Sequence, residues 1–120
     1  MPKTICLVDD EPEILSELGM MLSDEGYNIM TASSGSEAFA KIRKQRPHLV
    51  ILDVIMPEMN GLEVLDQLKR DRSTSEIPVI MLTAKTDTGT LLEARERHAA
   101  DYFMKPFNPD ELLRMIRRHA

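Results

Sequence analysis

Three carboxylates, a hydroxyl and an amine stand at chemically suggestive places in this chain. Asp9 and Asp10 follow the apolar run Ile5-Cys6-Leu7-Val8. Asp53 follows Leu49-Val50-Ile51-Leu52, Thr83 follows Val79-Ile80-Met81-Leu82, and Lys105 follows Tyr102-Phe103-Met104. Brought together, the carboxylates would repel one another, and at least one would have a raised pKa unless a cation intervened. A hard divalent cation resolves that conflict, and carboxylate ligands completed by water suit Mg²⁺ or Mn²⁺. No cluster of histidines and cysteines points to zinc. A cation flanked by an amine and a hydroxyl is a way to hold a phosphoryl group, because the positive charges neutralise it while the hydroxyl bonds an oxygen. No Gly-rich phosphate loop is present, so a nucleotide is not the obvious phosphate source. An aspartate carboxylate can itself take up phosphoryl as an acyl phosphate.

Each of these residues alone also has a plainer reading. Asp10 could cap a helix, Asp53 the loop after its strand, Thr83 could be a turn residue and Lys105 a solvated amine. Their shared position at the ends of strands is what favours chemistry.

The elements that must position them follow from periodicity. The three wholly apolar runs read as central strands of a parallel sheet covered on both faces. Asn28-Ile29-Met30-Thr31 mixes polar with apolar residues and reads as an edge strand, and Tyr102-Phe103-Met104 as a last short strand. Between them, Ile14, Leu18, Met21 and Leu22 recur at helical spacing after Pro12 and before Gly26. Ser34-Gly35-Ser36-Glu37 is a capping box opening a helix through Ala38, Phe39 and Ile42 that Pro47 closes. Leu62, Leu65 and Leu68 mark a third helix, ending in the polar run Asp71 to Glu76. The segment Lys85 to Thr90 is poor helix material, so a helix from about Leu91 to Arg97 should begin loosely. Asn108-Pro109-Asp110-Glu111 supplies an N-cap, an N1 proline and a capping acid for the closing helix. Five strands alternating with five helices make an α/β chain with right-handed crossovers, which put every strand's carboxyl end on one side. Ligands of such sheets bind along that edge.

Composition sets the outer bounds. At 120 residues the chain, 1–120, reads as one domain with a single core. Its net charge of -5 makes it a poor direct binder of nucleic acid but does not oppose a divalent cation. The apolar runs are too short to span a membrane, and no charged-then-apolar leader opens the chain. A single cysteine, Cys6, lies inside an apolar run and reads as core in a reducing compartment, so the expected location is cytoplasmic.

Over essentially its full length the sequence resembles the receiver domain of two-component response regulators. The resemblance rests on Val8-Asp9-Asp10-Glu11-Pro12, Asp53-x-x-Met56-Pro57-x-Met59-x-Gly61, Pro78-Val79-Ile80-Met81-Leu82-Thr83-Ala84 and Asp101-Tyr102-Phe103-Met104-Lys105-Pro106-Phe107, in that order. It implies a (βα)5 flavodoxin-like, doubly wound parallel sheet with strand order 2-1-3-4-5. It implies that Asp53 is the phosphoacceptor for a histidine kinase or a histidine phosphotransfer protein. Asp10, Asp53 and the backbone carbonyl of Ile55 would be direct Mg²⁺ ligands, with Asp9 acting close by, most often through a water. Thr83 and Lys105 would bind the phosphoryl oxygens, Tyr102 would be the switch aromatic, and the Lys105-Pro106 bond would be cis. The implied product is a phosphorylated switch, monomeric or dimerising on phosphorylation, that acts on a downstream protein or output domain and catalyses only its own phosphoryl uptake and slow loss. One departure is visible: His98 stands where the family commonly has a glycine ending the helix before the last strand.

Two rivals belong to other classes. An aspartyl-phosphate phosphatase usually wants a second aspartate two residues after the nucleophile, where Ile55 stands here, and a cap segment that this chain lacks. A phosphorylation-independent interaction module on the same fold would tend to lose members of the acidic set or the lysine, and all are present.

Overall fold

The apolar runs form strands because their residues must be covered on both faces, and the order in which they are covered organises the chain. The computed structural model describes residues 2–54, 56, 60–84, 96–105 and 107–120, with Thr83 and Ala84 described by their backbone. Strands β1 (Thr4–Val8), β2 (Asn28–Ala32), β3 (Leu49–Asp53), β4 (Val79–Ala84) and β5 (Asp101–Lys105) pair in parallel in the order β2-β1-β3-β4-β5. Helices α1 (Pro12–Asp24), α2 (Gly35–Gln45), α3 (Gly61–Arg70) and α4 (Pro109–His119) complete the elements among the described residues. The helix expected from about Leu91 to Arg97 falls mostly outside those residues, as do Lys85 to Thr90, Ile55 and the Lys105-Pro106 peptide bond.

Alternation along each strand splits the core into two layers. Cys6, Val8, Val50, Leu52, Val79 and Met81 face Ala38 and Ile42 of α2 and Leu62, Leu65 and Leu68 of α3. Ile5, Leu7, Leu49, Ile51, Ile80 and Leu82 face Leu18 and Leu22 of α1 and Leu112 and Ile116 of α4. Every residue of β3 is buried, whereas both edge strands alternate through partly exposed positions, in keeping with their mixed sequences. β5 runs one residue further at each end than its apolar core Tyr102-Phe103-Met104 suggests. No helix is long and apolar enough to cross a membrane among the described residues.

Helix ends follow the local chemistry. Ser34 Oγ accepts from the Glu37 amide at 3.3 Å, while Glu37 Oε1 accepts from the amide of Ser33, one residue before the cap, at 3.3 Å. Asn60 Oδ1 accepts from Leu62 at 2.7 Å and Asn108 Oδ1 from Glu111 at 3.1 Å. The polar run after α3 is more ordered than its composition suggests. Thr74 is buried and donates to the Leu68 carbonyl at 2.7 Å, closing the helix, and Lys69 Nζ donates to the carbonyls of Ser75 and Ile77 at 3.1 and 2.8 Å.

Among the described residues, two non-glycine residues occupy the left-handed region: Arg46, ending α2 at φ 46°, and His98 at φ 69°. The turn before β5 thus keeps a left-handed position although a histidine fills it. Left-handed backbone costs a non-glycine residue about 1–2 kcal/mol, part of which glycine forfeits through its looser unfolded chain. His98→Gly should therefore stabilise the fold by about 0.5–1 kcal/mol, read as a higher midpoint in urea at unchanged slope.

Cys6 is fully buried, and burial pushes its thiol up to about 12, partly offset by the nearby Lys41 ammonium. The folded thiol thus resists an ionisation that the unfolded chain undergoes near 9. Its contribution to stability is complete below that value and is lost as pH rises toward 12. A thiol reagent at pH 8 should leave native protein unlabelled and modify Cys6 only at the rate of unfolding; rapid stoichiometric labelling of folded protein would contradict this.

Candidate functional site

Asp9 stands one residue past β1, still tied to the sheet by its amide, which donates to the Ala32 carbonyl at 3.2 Å. Its side chain is buried and serves two elements at once. Oδ1 accepts from the Glu11 amide at 2.9 Å, shaping the entry to α1, and Oδ2 accepts from Lys105 Nζ at 3.0 Å. Asp53 is the last residue of β3 and is also buried. Lys105 is the last residue of β5, and its Nζ lies 3.4 Å from Asp53 Oδ1 and 3.3 Å from Glu11 Oε1. With β3 and β4 between β1 and β5, and strands about 4.8 Å apart, only a long side chain can reach back to Asp9.

Asp9, Asp10, Glu11 and Asp53 each place a carboxylate oxygen so that all four lie within 4.8 Å of one another. Asp9 and Asp53 form the buried floor of this cluster, and Asp10 and Glu11 are its more open side. An all-oxygen, anionic set of this kind fits a hard cation. Opposite ligands of a Mg²⁺ octahedron are about 4.2 Å apart, so some of these carboxylates fit as direct ligands and others through bound water.

Burial alone would push the Lys105 ammonium down. The hydrogen bond from Lys105 to Asp9 and the charges of Asp53 and Asp9 outweigh that effect, and the net direction is up. The amine therefore stays protonated throughout the neutral range, as an electrostatic anchor must.

The structure brings four of the residues anticipated from sequence, Asp9, Asp10, Asp53 and Lys105, into one cluster. Thr83 sits at the carboxyl end of β4 with its backbone in register with Met104, on the same sheet edge; its side chain lies outside the description, as does Ile55. Tyr102 is half-buried, in register with Met81, and packs against the layer formed with α2 and α3.

Two contributors are missing from the sequence-based set of site residues. Glu11, which enters from the sequence only as part of the motif Val8-Asp9-Asp10-Glu11-Pro12, belongs to the cluster and touches Lys105. Gly61 enters only as the last residue of the motif that begins at Asp53. A Cβ there would fall on the Asp53 carbonyl oxygen and 2.8 Å from Val54 Cα, while its amide donates to the Val54 carbonyl at 2.7 Å. The first turn of α3 thus docks directly on the backbone of Asp53, an approach only glycine permits.

A five-stranded parallel sheet in this order, carrying an acidic cluster and a lysine at its carboxyl edge, is a doubly wound α/β domain with its polar site where ligands of such sheets bind. The chain belongs to the response regulator receiver domain family, which matches residues 5–117. It is 42% identical over 117 residues to the DNA-binding response regulator MtrA of Mycolicibacterium smegmatis, covering 98% of this chain and 50% of that protein. It is 39% identical over 115 residues to the phosphate regulon transcriptional regulatory protein PhoB of Pseudomonas aeruginosa, covering 96% of this chain and 50% of that one. The chain thus spans about half the length of the curated relatives it matches. Among solved structures, the chemotaxis response regulator CheY4 of Vibrio cholerae superposes with a TM-score of 0.93 at 33% identity, with 100% of both chains covered. A CheY-like receiver domain protein from Methanospirillum hungatei gives 0.92 at 31% identity, covering 98% of this chain and 93% of its own. As a receiver domain, the chain is a phosphoacceptor module of two-component signalling.

Gly61→Ala should destabilise the fold by about 1–3 kcal/mol, since the clash is with backbone rather than a movable side chain. Denaturant unfolding checks this; an unchanged midpoint would mean that α3 does not seat on Asp53 in solution.

Proposed function

We propose that this domain is a phosphorylation-activated switch that takes a phosphoryl group onto Asp53 from a phosphohistidine of a kinase or a histidine phosphotransfer protein. The observation that carries the reading is the Lys105 ammonium set 3.4 Å from a buried Asp53 within a cluster of four carboxylates at the sheet's carboxyl edge. In the reaction an Asp53 oxygen attacks phosphorus, a P–O bond forms as the P–N bond breaks, and the donor imidazole keeps the electron pair. Lys105 and the hydroxyl of Thr83 bind phosphoryl oxygens, with Lys105 turning toward the charge that accumulates there. Asp10, Asp53 and the Ile55 carbonyl would hold Mg²⁺, or Mn²⁺ in its place, with Asp9 close by, most often through a water. The cation would supply positive charge against the carboxylates and the incoming phosphoryl group.

Phosphorylation adds about -1.5 to -2 charges at Asp53. Thr83 then moves toward the phosphoryl group, and Tyr102 takes the space it leaves, altering the surface presented to a downstream protein or output domain. The relatives named for DNA binding or transcriptional regulation are about twice the length of this chain, which suits a nucleic-acid contact lying in their other half. The net charge of -5 favours that division.

Intact mass after incubation with acetyl phosphate, with and without Mg²⁺, tests the reading in wild type and Asp53→Asn. One added phosphoryl group that needs both the metal and Asp53 is the expected result. No uptake from acetyl phosphate and none from a phosphohistidine donor would overturn it in favour of a phosphorylation-independent interaction module.

A further inference from the structure

Glu11 occupies the N-cap of α1, a position where serine, threonine, aspartate or asparagine would accept from the helix's first amides. It makes no such bond. Pro12 at the start of the helix and the Asp9 carboxylate on the Glu11 amide satisfy the turn instead. The Glu11 side chain adds a fourth negative charge to three others and reaches Lys105 Nζ at 3.3 Å, although it is 59% exposed and free to point into solvent. A residue that departs from the local preference and adds repulsion needs a compensating role.

The contacts define that role. Asp9 holds the Glu11 amide with one oxygen and Lys105 with the other, and the Glu11 carboxylate closes the ring onto the same ammonium. Lys105 is thereby held on the β1 side by two carboxylates at 3.0 and 3.3 Å, against 3.4 Å to Asp53. We infer that Glu11 is a positioning residue that tethers Lys105 in the unphosphorylated domain, competing with the phosphoryl group for the ammonium while adding to the charge that draws the divalent cation. The inference rests on the phosphoacceptor reading of Asp53 and deepens it.

The two roles have opposite signs, which gives a signature that a merely structural residue would not produce. Removing the charge frees Lys105 and relieves repulsion of an anionic phosphoryl group, but weakens the pull on a cation. An exposed charge interaction of this kind is worth about 0.2–1 kcal/mol, or roughly 1.5- to fivefold in affinity. Calorimetric titrations of wild type, Glu11→Gln and Glu11→Asp with Mg²⁺ alone, and then with beryllium trifluoride at saturating Mg²⁺, test it. Glu11→Gln should bind Mg²⁺ about 1.5- to fivefold more weakly and beryllium trifluoride tighter by a similar factor. Glu11→Asp, which restores the charge, should move both values back toward wild type. Beryllium trifluoride affinity that is unchanged or weaker in Glu11→Gln, while wild type binds it, overturns the tether and leaves the phosphoacceptor reading standing. A wild type that binds no beryllium trifluoride at saturating Mg²⁺ overturns both.

Discussion

One ammonium facing four carboxylates is the constraint on which the rest of this molecule depends. With Lys105 counted against Asp9, Asp10, Glu11 and Asp53, the charges sum to 1 - 4 = -3. Two like charges 4 Å apart cost about 4 kcal/mol at the effective dielectric near a protein surface, before any relief from solvent or counter-ions. The fold concentrates that repulsion at one place, and among the described residues its own side chains neutralise only part of it. On the proposed reading, a divalent cation would supply most of the remainder, and a bound phosphoryl group would then restore the deficit.

Keeping the carboxylates together against their repulsion is the work of the central strands. β3 is buried from end to end and β1 from Ile5 to Val8 by the two core layers, so Asp9 and Asp53 cannot move apart without disturbing packed apolar residues on both faces. Gly61 adds a further constraint by seating α3 on the Asp53 backbone. The lysine comes from the opposite kind of element, an edge strand with partial exposure. The site therefore joins a rigid anionic floor to an amine carried on a softer margin.

How much of this was legible in the sequence depends on whether a feature follows from period or from contact. Asp9, Asp53 and Lys105 could be read because each ends a strand, and parallel topology brings strand ends to one edge whatever the details of packing. The same logic placed Thr83, while the mixture of polar and apolar residues in Asn28-Ile29-Met30-Thr31 marked β2 as an edge strand. Glu11 and Gly61 were legible only as motif positions, because what they touch lies across the fold, the Lys105 ammonium and the Asp53 carbonyl, and Thr74 only as part of a polar run, although it closes α3 on the Leu68 carbonyl. Glu11 did leave one trace, a glutamate at a cap position that it does not cap. The left-handed backbone at Arg46 left none, since arginine there has no preference for that conformation. His98 shows the reverse case: its turn keeps the left-handed geometry, so the identity of the residue was a poorer guide than the place it occupies.

The contrast between floor and margin also limits how a charge added at Asp53 can be felt elsewhere. A packed core has few intermediate arrangements, so β1 and β3 transmit little of a local change as displacement. β5 differs: Tyr102 and Phe103 are only partly buried and lie on opposite faces, one against each core layer, while Met104 is exposed. Moving an aromatic residue at such a strand leaves no cavity in the centre, so two positions of Tyr102 can lie close in free energy where two positions of Leu52 could not. The lysine beside Asp53 and the partly buried aromatic are three residues apart in number, 102 and 105, on that one strand. On the proposed reading, a charge event at a rigid centre leaves through β5, which touches the site and is only partly buried.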